Sequence, residues 1–244
     1  MEDFPPTHQA LEEPNGLLAI GGDLTPERLL LAYSRGVFPW YGAQDPILWW
    51  SPNPRCTLLP AEFKISKTLR KTLKNNVFKL TFDHSFAAVM RACAEPRRDS
   101  AETWIGPDML SAYGRLHDLG YAHSIEAWQG EILVGGLYGI QMGQCFFGES
   151  MFSRESEASK VALAGLIWLA RRHALTLIDC QVSSDHLLSL GAKNLSRQDF
   201  ENLLATAIKG SGMGDLDRRF GAGAENFPST SNMLSDLQTE GGKL

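Results

Sequence analysis

The chain has 244 residues, 43% hydrophobic and 21% charged, which is enough to bury a sizeable core in one large domain or two smaller ones. Its formal charge of −5 argues against nucleic-acid binding over the whole surface, so any such contact must come from a local basic patch. Four scattered cysteines without CxxC spacing argue against a disulfide frame or a zinc site. No apolar run approaches the ~18 residues of a membrane span. We therefore expect a soluble, cytoplasmic protein with no metal and no membrane partner.

The N-terminal part combines tight turns, one helix and an aromatic loop. Thr25 is a typical N-cap residue, and Gly36 is expected to end the helix that follows it. The loop VFPWYGAQDPILWWSPNPR, residues 37 to 55, carries half of the six tryptophans. It is either a rigid loop packed over the core or a surface on which a base or ring can stack. We expect a domain boundary after residue 62.

A basic helix is predicted next, in the segment KISKTLRKTLK. Ile65, Leu69 and Leu73 share one face of this helix and are expected to be buried. Another face carries a group of cations, namely Lys67, Arg70, Lys71 and Lys74. Most such groups are solvated surface, but in an acidic chain this concentration of charge makes phosphate contacts an equally good interpretation.

From residue 77 the pattern alternates between strands and helices. The expected elements are a strand (77–82), helices (85–94 and 107–119), three antiparallel strands (123–128, 132–141 and 145–152), a helix (157–173), a strand (175–181) and two helices (184–190 and 197–208). This is the element order of acetyltransferases that use coenzyme A. We therefore predict an α+β fold, with a small N-terminal domain (1–62), an acetyltransferase-like mixed-sheet domain (63–209) and a disordered or loosely attached tail (210–244).

A single carboxylate stands inside the apolar run CFFGESMF. Burying an unpaired charge is expensive, so Glu149 needs a partner or a function. Strand alternation would put Phe147, Glu149 and Met151 on one face and Phe146 on the other, unless a bulge at Gly148 re-aims them. The glutamate is then either held by backbone donors in a core strand or is the acidic anchor of an apolar pocket. Such a pocket would suit a ligand with a hydrophobic side chain and an ammonium group.

The segment LTLIDCQ is an apolar strand with a polar end. Alternation places Leu177, Asp179 and Gln181 on one face, where the carboxylate and the amide could hydrogen-bond and fix the orientation of the amide. The end of a core strand is a common place for chemistry, although a solvated strand end remains the alternative.

Seven segments of the chain together resemble the leucyl/phenylalanyl-tRNA–protein transferases. They are EPNGLLAIGGDLTPERLLLAYSRGVFPW (13–40), ILWWSPNPR (47–55), TWI (103–105), LGYAHSIEAW (119–128), GGLYG (135–139), FGESMFSRESEASK (147–160) and LIDCQ (177–181). The resemblance spans about residues 11 to 208. It implies an enzyme that transfers leucine or phenylalanine, less often methionine, from tRNA to proteins beginning with arginine or lysine. The product is a peptide bond and a bacterial degradation signal, and no cofactor or metal is implied.

The resemblance also implies roles for individual residues. Asp179 and Gln181 correspond to the catalytic pair of the family, and Glu149 to the acid that faces an amino group. The pocket for the donor side chain and the terminal adenosine corresponds to Trp40, Trp104, Leu137, Phe146, Met151 and Ile178. Leucine at position 137 replaces the methionine of the family, which conserves volume. We expect the tRNA backbone to contact Lys67, Arg70, Lys71 and Lys74.

Two rival functions remain open on the sequence. An acetyl-coenzyme A transferase would need a glycine-containing turn for the pyrophosphate, where this chain has SRESEASK. A non-catalytic module that recognises basic N-termini would bind peptides without forming a product.

Overall fold

The computed structural model describes residues 3–96, 103–209 and 227–239. Its strands are β1 Leu17–Ile20, β2 Phe38–Pro39, β3 Leu48–Trp50, β4 Arg55–Leu58, β5 Lys79–Phe82, β6 Ala122–Gln129, β7 Ile132–Met142, β8 Cys145–Ser153, β9 Leu177–Gln181 and β10 Lys193–Leu195. Its α-helices are α1 Pro26–Ser34, α2 Lys67–Lys74, α3 Phe86–Ala94, α4 Pro107–Asp118, α5 Ala158–Arg172, α6 Asp185–Ser189, α7 Arg197–Ile208 and α8 Thr230–Thr239. None of the helices in these described ranges has both the length and the hydropathy that crossing a membrane requires.

Helices α1 and α2 begin at side-chain caps, of which Thr25 is the one that the sequence indicates. Thr25 accepts a hydrogen bond from the backbone N–H of Arg28 at 3.4 Å and opens α1. Ser66 accepts from the N–H of Leu69 at 3.1 Å and opens α2. These caps satisfy backbone donors that have no partner within the helix.

The strands form two sheets. A three-stranded antiparallel sheet near the N-terminus has the order β1-β3-β2, and a seven-stranded sheet has the order β10-β4-β9-β8-β7-β6-β5. All neighbours in the large sheet are antiparallel except β8 and β9, which are parallel. The predicted α+β class, with a small N-terminal unit and a mixed sheet, is confirmed.

The parallel pair separates before its strands end. Phe146 pairs with Ile178 and Phe147 with Asp179, and the pairing stops there although β8 continues to Ser153. We call this unpaired region, between residues 148–153 of β8 and 180–181 of β9, the β8–β9 split. These residues of β8 and β9 pair with β7 and β4 on their outer edges but not with each other.

Two hydrophobic clusters cover the sheet. The first contains side chains from α2, α5 and α8, and the second contains side chains from α1, α3, α4 and α7. The second cluster includes Tyr33 and Trp49 from the N-terminal part together with Phe147 and Leu177 from the large sheet. Strand β4 also lies within the large sheet, between β10 and β9. The N-terminal part is thus packed into the core of the larger unit, and the boundary after residue 62 stays a prediction.

The expected loose tail is wrong for residues 227–239, where helix α8 packs on the first cluster. Met233, Leu234 and Leu237 are buried, and the hydroxyl of Thr230 donates to the carbonyl of Leu73 at 2.9 Å. These three apolar positions form one short helical stripe in an otherwise polar segment, too short a pattern to stand out in the sequence. The rest of the predicted tail, 210–226 and 240–244, lies outside the described residues.

Candidate active site

Glu149 is the extra residue of a β-bulge in β8. Tyr138 of β7 pairs with Ser150, and the next pair joins Gly139 to Gly148, so the register skips Glu149. A bulge of this kind releases one residue from the ladder and re-aims its side chain. The bulge considered at Gly148 is therefore present, one residue further along the strand.

The bulge changes which side chains share a face. Phe147 belongs to the second cluster, and Glu149 bonds to tyrosines of that cluster, but Met151 packs with Phe146 on the first. The expectation that Met151 would share the face of Phe147 and Glu149 is wrong, because the inserted residue shifts the alternation by one position. Glu149 and the apolar side chains of Phe146 and Met151 consequently lie on opposite sides of the same strand.

Two tyrosines hold the carboxylate of Glu149. Tyr33 on α1 donates to Oε1 at 2.7 Å, and Tyr113 on α4 donates to Oε2 at 3.0 Å. Burial raises the pKa of Glu149 from 4.5 to about 7, and the hydrogen bonds from both tyrosines act against this rise. Burial also raises the pKa of Tyr33 and Tyr113 well above the usual value of 10, so both keep their protons.

The hydroxyls of Tyr33 and Tyr113 also contact each other, at 2.5 Å. Three hydrogen-bond contacts thus join two hydroxyls and one carboxyl group. A charged Glu149 leaves only two protons for these contacts, whereas a protonated one supplies the third. The geometry therefore agrees with a carboxyl group that gains and loses its proton near neutral pH. Neither tyrosine was predicted as a site residue, although a buried tyrosine hydroxyl usually has a partner and so offered a signal.

Asp179 is fully buried and forms a bidentate ion pair with Arg55 of β4. Nε and Nη2 of Arg55 lie 2.8 and 2.7 Å from the two carboxylate oxygens. The guanidinium is also 4.8 Å from the ring centre of Phe38 and 4.5 Å from that of Phe200. Arg55 was not predicted as a site residue, although it ends the segment ILWWSPNPR. A partner for the buried Asp179 had to exist, but the sequence does not indicate which of the 23 basic residues it is.

Gln181 has the left-handed backbone conformation, with φ of 55°. Its backbone N–H donates to Oδ1 of Asp179 at 3.0 Å, and its side-chain Nε2 donates to Oε1 of Glu149 at 3.4 Å. The predicted bond between the Asp179 and Gln181 side chains is therefore wrong. The turn of the backbone at the strand end directs the amide across the β8–β9 split. The side chain of Asp179 therefore bonds to the backbone of Gln181 and not to its amide.

Four of the six predicted pocket residues come together on the face of the first cluster. Leu137 pairs with Met151 across β7 and β8, and Phe146 pairs with Ile178 across β8 and β9. The ring of Phe146 lies over Gly139, where an added Cβ would come within 2.5 Å of it. A side chain at position 139 would therefore displace the wall of this apolar group.

The two predicted tryptophans lie elsewhere. Trp40 is 46% exposed, and its ring centre is 5.9 Å from that of Trp50. Trp104 is half-buried against the second cluster. The hydroxyl of Tyr41, next to Trp40, donates to Asp108 at the start of α4, which joins the two tryptophan segments.

The cations of α2 form an exposed face. Lys67, Arg70, Lys71 and Lys74 are all exposed, while Leu69 and Leu73 are fully buried beneath them. Over the described ranges, no three His, Cys, Asp or Glu side chains are grouped so that they could hold a metal ion.

Comparisons with known proteins match both the N-terminal part of the chain and the large sheet. A family model described as leucyl/phenylalanyl-tRNA protein transferase matches residues 57–205, and the model of its N-terminal domain matches residues 22–53. Three curated relatives carry the name leucyl/phenylalanyl-tRNA–protein transferase. The chain is 56% identical over 202 residues to the relative from Cellvibrio japonicus, an alignment that covers 83% of this chain and 86% of the relative. It is 58% identical over 198 residues to the relative from Aromatoleum aromaticum, covering 81% of this chain and 84% of the relative. It is 58% identical over 206 residues to the relative from Syntrophobacter fumaroxidans, covering 84% of this chain and 87% of the relative.

Proposed function

The chain belongs to the family of leucyl/phenylalanyl-tRNA–protein transferases, and from this premise we propose that it transfers leucine or phenylalanine, less often methionine, to proteins that begin with arginine or lysine. It is an aminoacyltransferase, with aminoacyl-tRNA and a protein as its two substrates. In the proposal the added residue marks the acceptor for degradation by the N-end rule. Aminoacyl-tRNA is a cytoplasmic donor, so the proposal places the reaction in the cytoplasm.

The observation that carries the proposal is the contact between Glu149 and Gln181 across the β8–β9 split. The apolar group of Leu137, Phe146, Met151 and Ile178 lies on the other side of the same strand, with the β8–β9 split between its members on β8 and β9. An aminoacyl ester has an amino group and a side chain on the same carbon, so in the proposal it enters the split with its amino group towards Glu149 and its side chain towards the apolar group. Burying a leucyl or phenylalanyl side chain there contributes roughly 1.5–3 kcal/mol.

The proposed reaction is aminolysis of an activated ester. The α-amine nitrogen of the acceptor attacks the ester carbonyl, the new C–N bond replaces the C–O bond to the terminal ribose, and the amine proton leaves to the ribose oxygen. The ester supplies the driving force, so ATP is not required. An α-amine has a pKa of about 7.7–8.0, so roughly a tenth to a fifth of it is already neutral at pH 7. A strong base is therefore unnecessary.

The side-chain oxygen of Gln181 can position the attacking amine. Its Nε2 donates to Glu149, which leaves the carbonyl oxygen Oε1 to accept a hydrogen bond from the amine. A neutral amide binds protons very weakly, so we assign Gln181 to orientation. We assign Glu149 to the amino group of the donor, since its carboxylate is held in place by Tyr33 and Tyr113.

The start of α5 supports a tRNA-borne ester over coenzyme A. Glu157 stands at the N-cap position and pairs with Lys160, and the hydroxyl of Ser153 accepts the N–H of Ser159 at 3.2 Å. A pyrophosphate at this helix start would have to displace these groups.

The test uses radiolabelled leucyl-tRNA and a peptide that begins with arginine, with the same peptide N-terminally acetylated as the control. We expect label in the free peptide only, and a much lower rate after the donor has been treated with ribonuclease, because the leucyl-adenosine that remains lacks the phosphates of the tRNA. Transfer that survives ribonuclease and follows added acetyl-coenzyme A would favour the acetyltransferase function. Peptide binding without any labelled product would favour the non-catalytic module.

A further inference from the structure

The ion pair between Arg55 and Asp179 is almost completely buried. Both side chains are at most 1% exposed. Removing two charges from water is expensive, and buried ion pairs can often be replaced by apolar groups without loss of stability. The pair is therefore weak evidence of a contribution to stability, and its geometry suggests another role.

The guanidinium of Arg55 is held in one orientation. Two parallel N–H···O bonds join it to Asp179, and the rings of Phe38 and Phe200 flank it at 4.8 and 4.5 Å. A planar fork between two aromatic faces cannot rotate, and lysine cannot reproduce either contact. The carboxylate of Asp179 is consequently fixed in both position and plane.

Asp179 passes this constraint to Gln181. Oδ1 of Asp179 accepts both Nε of Arg55 and the backbone N–H of Gln181. Gln181 has φ of 55°, a conformation that residues other than glycine adopt infrequently. The hydrogen bond to Asp179 offsets the cost of that conformation, and the conformation in turn aims the amide at Glu149. Cys56, the residue after Arg55, pairs with Gln181 across the bulge between β4 and β9, so both ends of this chain of contacts lie on the same strand pair.

We propose that Arg55 is a positioning residue of the transfer reaction, which acts through Asp179 to hold the Gln181 amide towards the attacking amine. The inference rests on the proposed function in one respect, since it assumes that Gln181 orients the acceptor. It adds a residue from β4, outside the two strands that carry the proposed catalytic groups.

The test is a double-mutant cycle of Arg55→Lys and Gln181→Ala, assayed with leucyl-tRNA and an arginine-starting peptide below the melting temperature of every variant. Arg55→Lys keeps the charge and removes the fork. We expect kcat to fall by about 10- to 100-fold, as for a displaced catalytic group, with the donor KM changed by less than about twofold. In the Gln181→Ala background the same substitution should change kcat by less than about twofold, because the group that Arg55 positions is gone.

Arg197→Lys is the matched control. Arg197 also uses Nε and Nη2 together, at 2.9 and 2.6 Å from the carbonyl oxygen of Ser51, whereas the hydrogen bonds to Asp179 within the described ranges come from Arg55 and Gln181. We expect this variant to lose thermal stability without a change in kcat in either background. If Arg55→Lys does not fold, Phe200→Leu replaces it in the cycle, since that change loosens the guanidinium without touching the ion pair.

The outcomes separate the two proposals. Full activity of Gln181→Ala would overturn the proposed role of Gln181, whatever Arg55 does. A slow Gln181→Ala combined with an equal further loss from Arg55→Lys, or from Phe200→Leu in its place, would overturn the positioning role and leave Arg55 as a purely structural residue.

Discussion

At the scale of single residues, the pKa of Glu149 predicts how stability depends on pH. Its folded pKa of about 7 lies above its usual value of 4.5, because burial disfavours the charged form. The folded state therefore holds this proton more tightly than the unfolded state, and the contribution of Glu149 to stability is lost as the pH rises from about 4.5 to about 7.

The Glu149→Gln variant lacks this titration. Relative to the parent, its free energy of unfolding should rise across that pH window by at most about 3 kcal/mol, at about 1.4 kcal/mol per pH unit, and then level off. Urea denaturation at a series of pH values measures the difference. Glu131→Gln, at an exposed position, controls for the loss of one charge. A difference that stays flat from pH 5 to pH 8 would contradict the raised pKa.

The environment of Asp179 changes what its mutation should do. Asparagine keeps the shape of the side chain, so the sequence alone predicts a loss of activity with an unchanged melting temperature. Because Asp179 is the partner of a buried arginine, Asp179→Asn should also cost about 3–5 kcal/mol of stability. Urea denaturation and kcat, measured on the same preparation, test both effects. An unchanged midpoint would mean that Arg55 does not depend on this carboxylate.

At the scale of elements, the exposed cations of α2 predict how the affinity for tRNA depends on salt concentration. Replacing Lys67, Arg70, Lys71 and Lys74 by alanine should weaken tRNA binding and flatten the plot of log affinity against log salt by about 0.7–0.9 for each phosphate that is no longer neutralised. The fold should survive, because Leu69 and Leu73 stay buried. Lys79→Ala/Arg91→Ala, at exposed cations outside α2, is the control and should leave the slope as it is. An unchanged slope in the quadruple variant would reject this surface.

Helix α8 makes a prediction about stability. Met233 is fully buried between α8 and the first cluster, so Met233→Ala should lower the free energy of unfolding by about 2–5 kcal/mol. Gln238→Ala, on the exposed face of the same helix, should change it by less than about 0.5 kcal/mol. Equal and small effects of the two changes would mean that α8 is not docked in solution.

Elements with regular side-chain spacing could be predicted from the sequence. Leu69 and Leu73 lie four residues apart with cations between them, and this arrangement determines both the helix and its buried face. The strands β6 to β8 follow one another with short turns, so their antiparallel pairing needed only local information. The sequence could also indicate that Glu149 and Asp179 need partners in the fold, because a charge in an apolar run requires an explanation.

Interactions between distant parts of the chain could not be predicted in the same way. Arg55 and Asp179 are separated by 124 positions, and no periodicity connects them. The bulge at Glu149 moves Met151 to the other face of the sheet, since one inserted residue reverses all later alternation. The left-handed conformation of Gln181 likewise depends on a hydrogen bond made in the folded strand pair, so its side-chain direction could not be inferred from position alone.

At the scale of the whole molecule, the proposed tRNA surface and the proposed reaction site are different places. The cations lie on α2, which packs on α5 and α8, whereas Glu149 and Gln181 face each other at the β8–β9 split. In a chain with a formal charge of −5, the basic face is a local attraction for a large anion and contributes nothing to a small donor without phosphates. A shortened donor should therefore lose the binding energy that α2 supplies and should still react at the split.

A comparison of leucyl-tRNA with the leucyl ester of adenosine tests this separation. The quadruple alanine variant of α2 should show a kcat/KM at least about tenfold lower with leucyl-tRNA at low salt, because it no longer attracts the phosphates, and should keep the activity of the parent with the leucyl ester. Glu149→Gln should lower activity with both donors, since both place an amino group at the split. If the α2 variant is equally slow with the short ester, its cations act on the fold of the split and not on nucleic acid, and the assignment of tRNA binding to α2 is wrong.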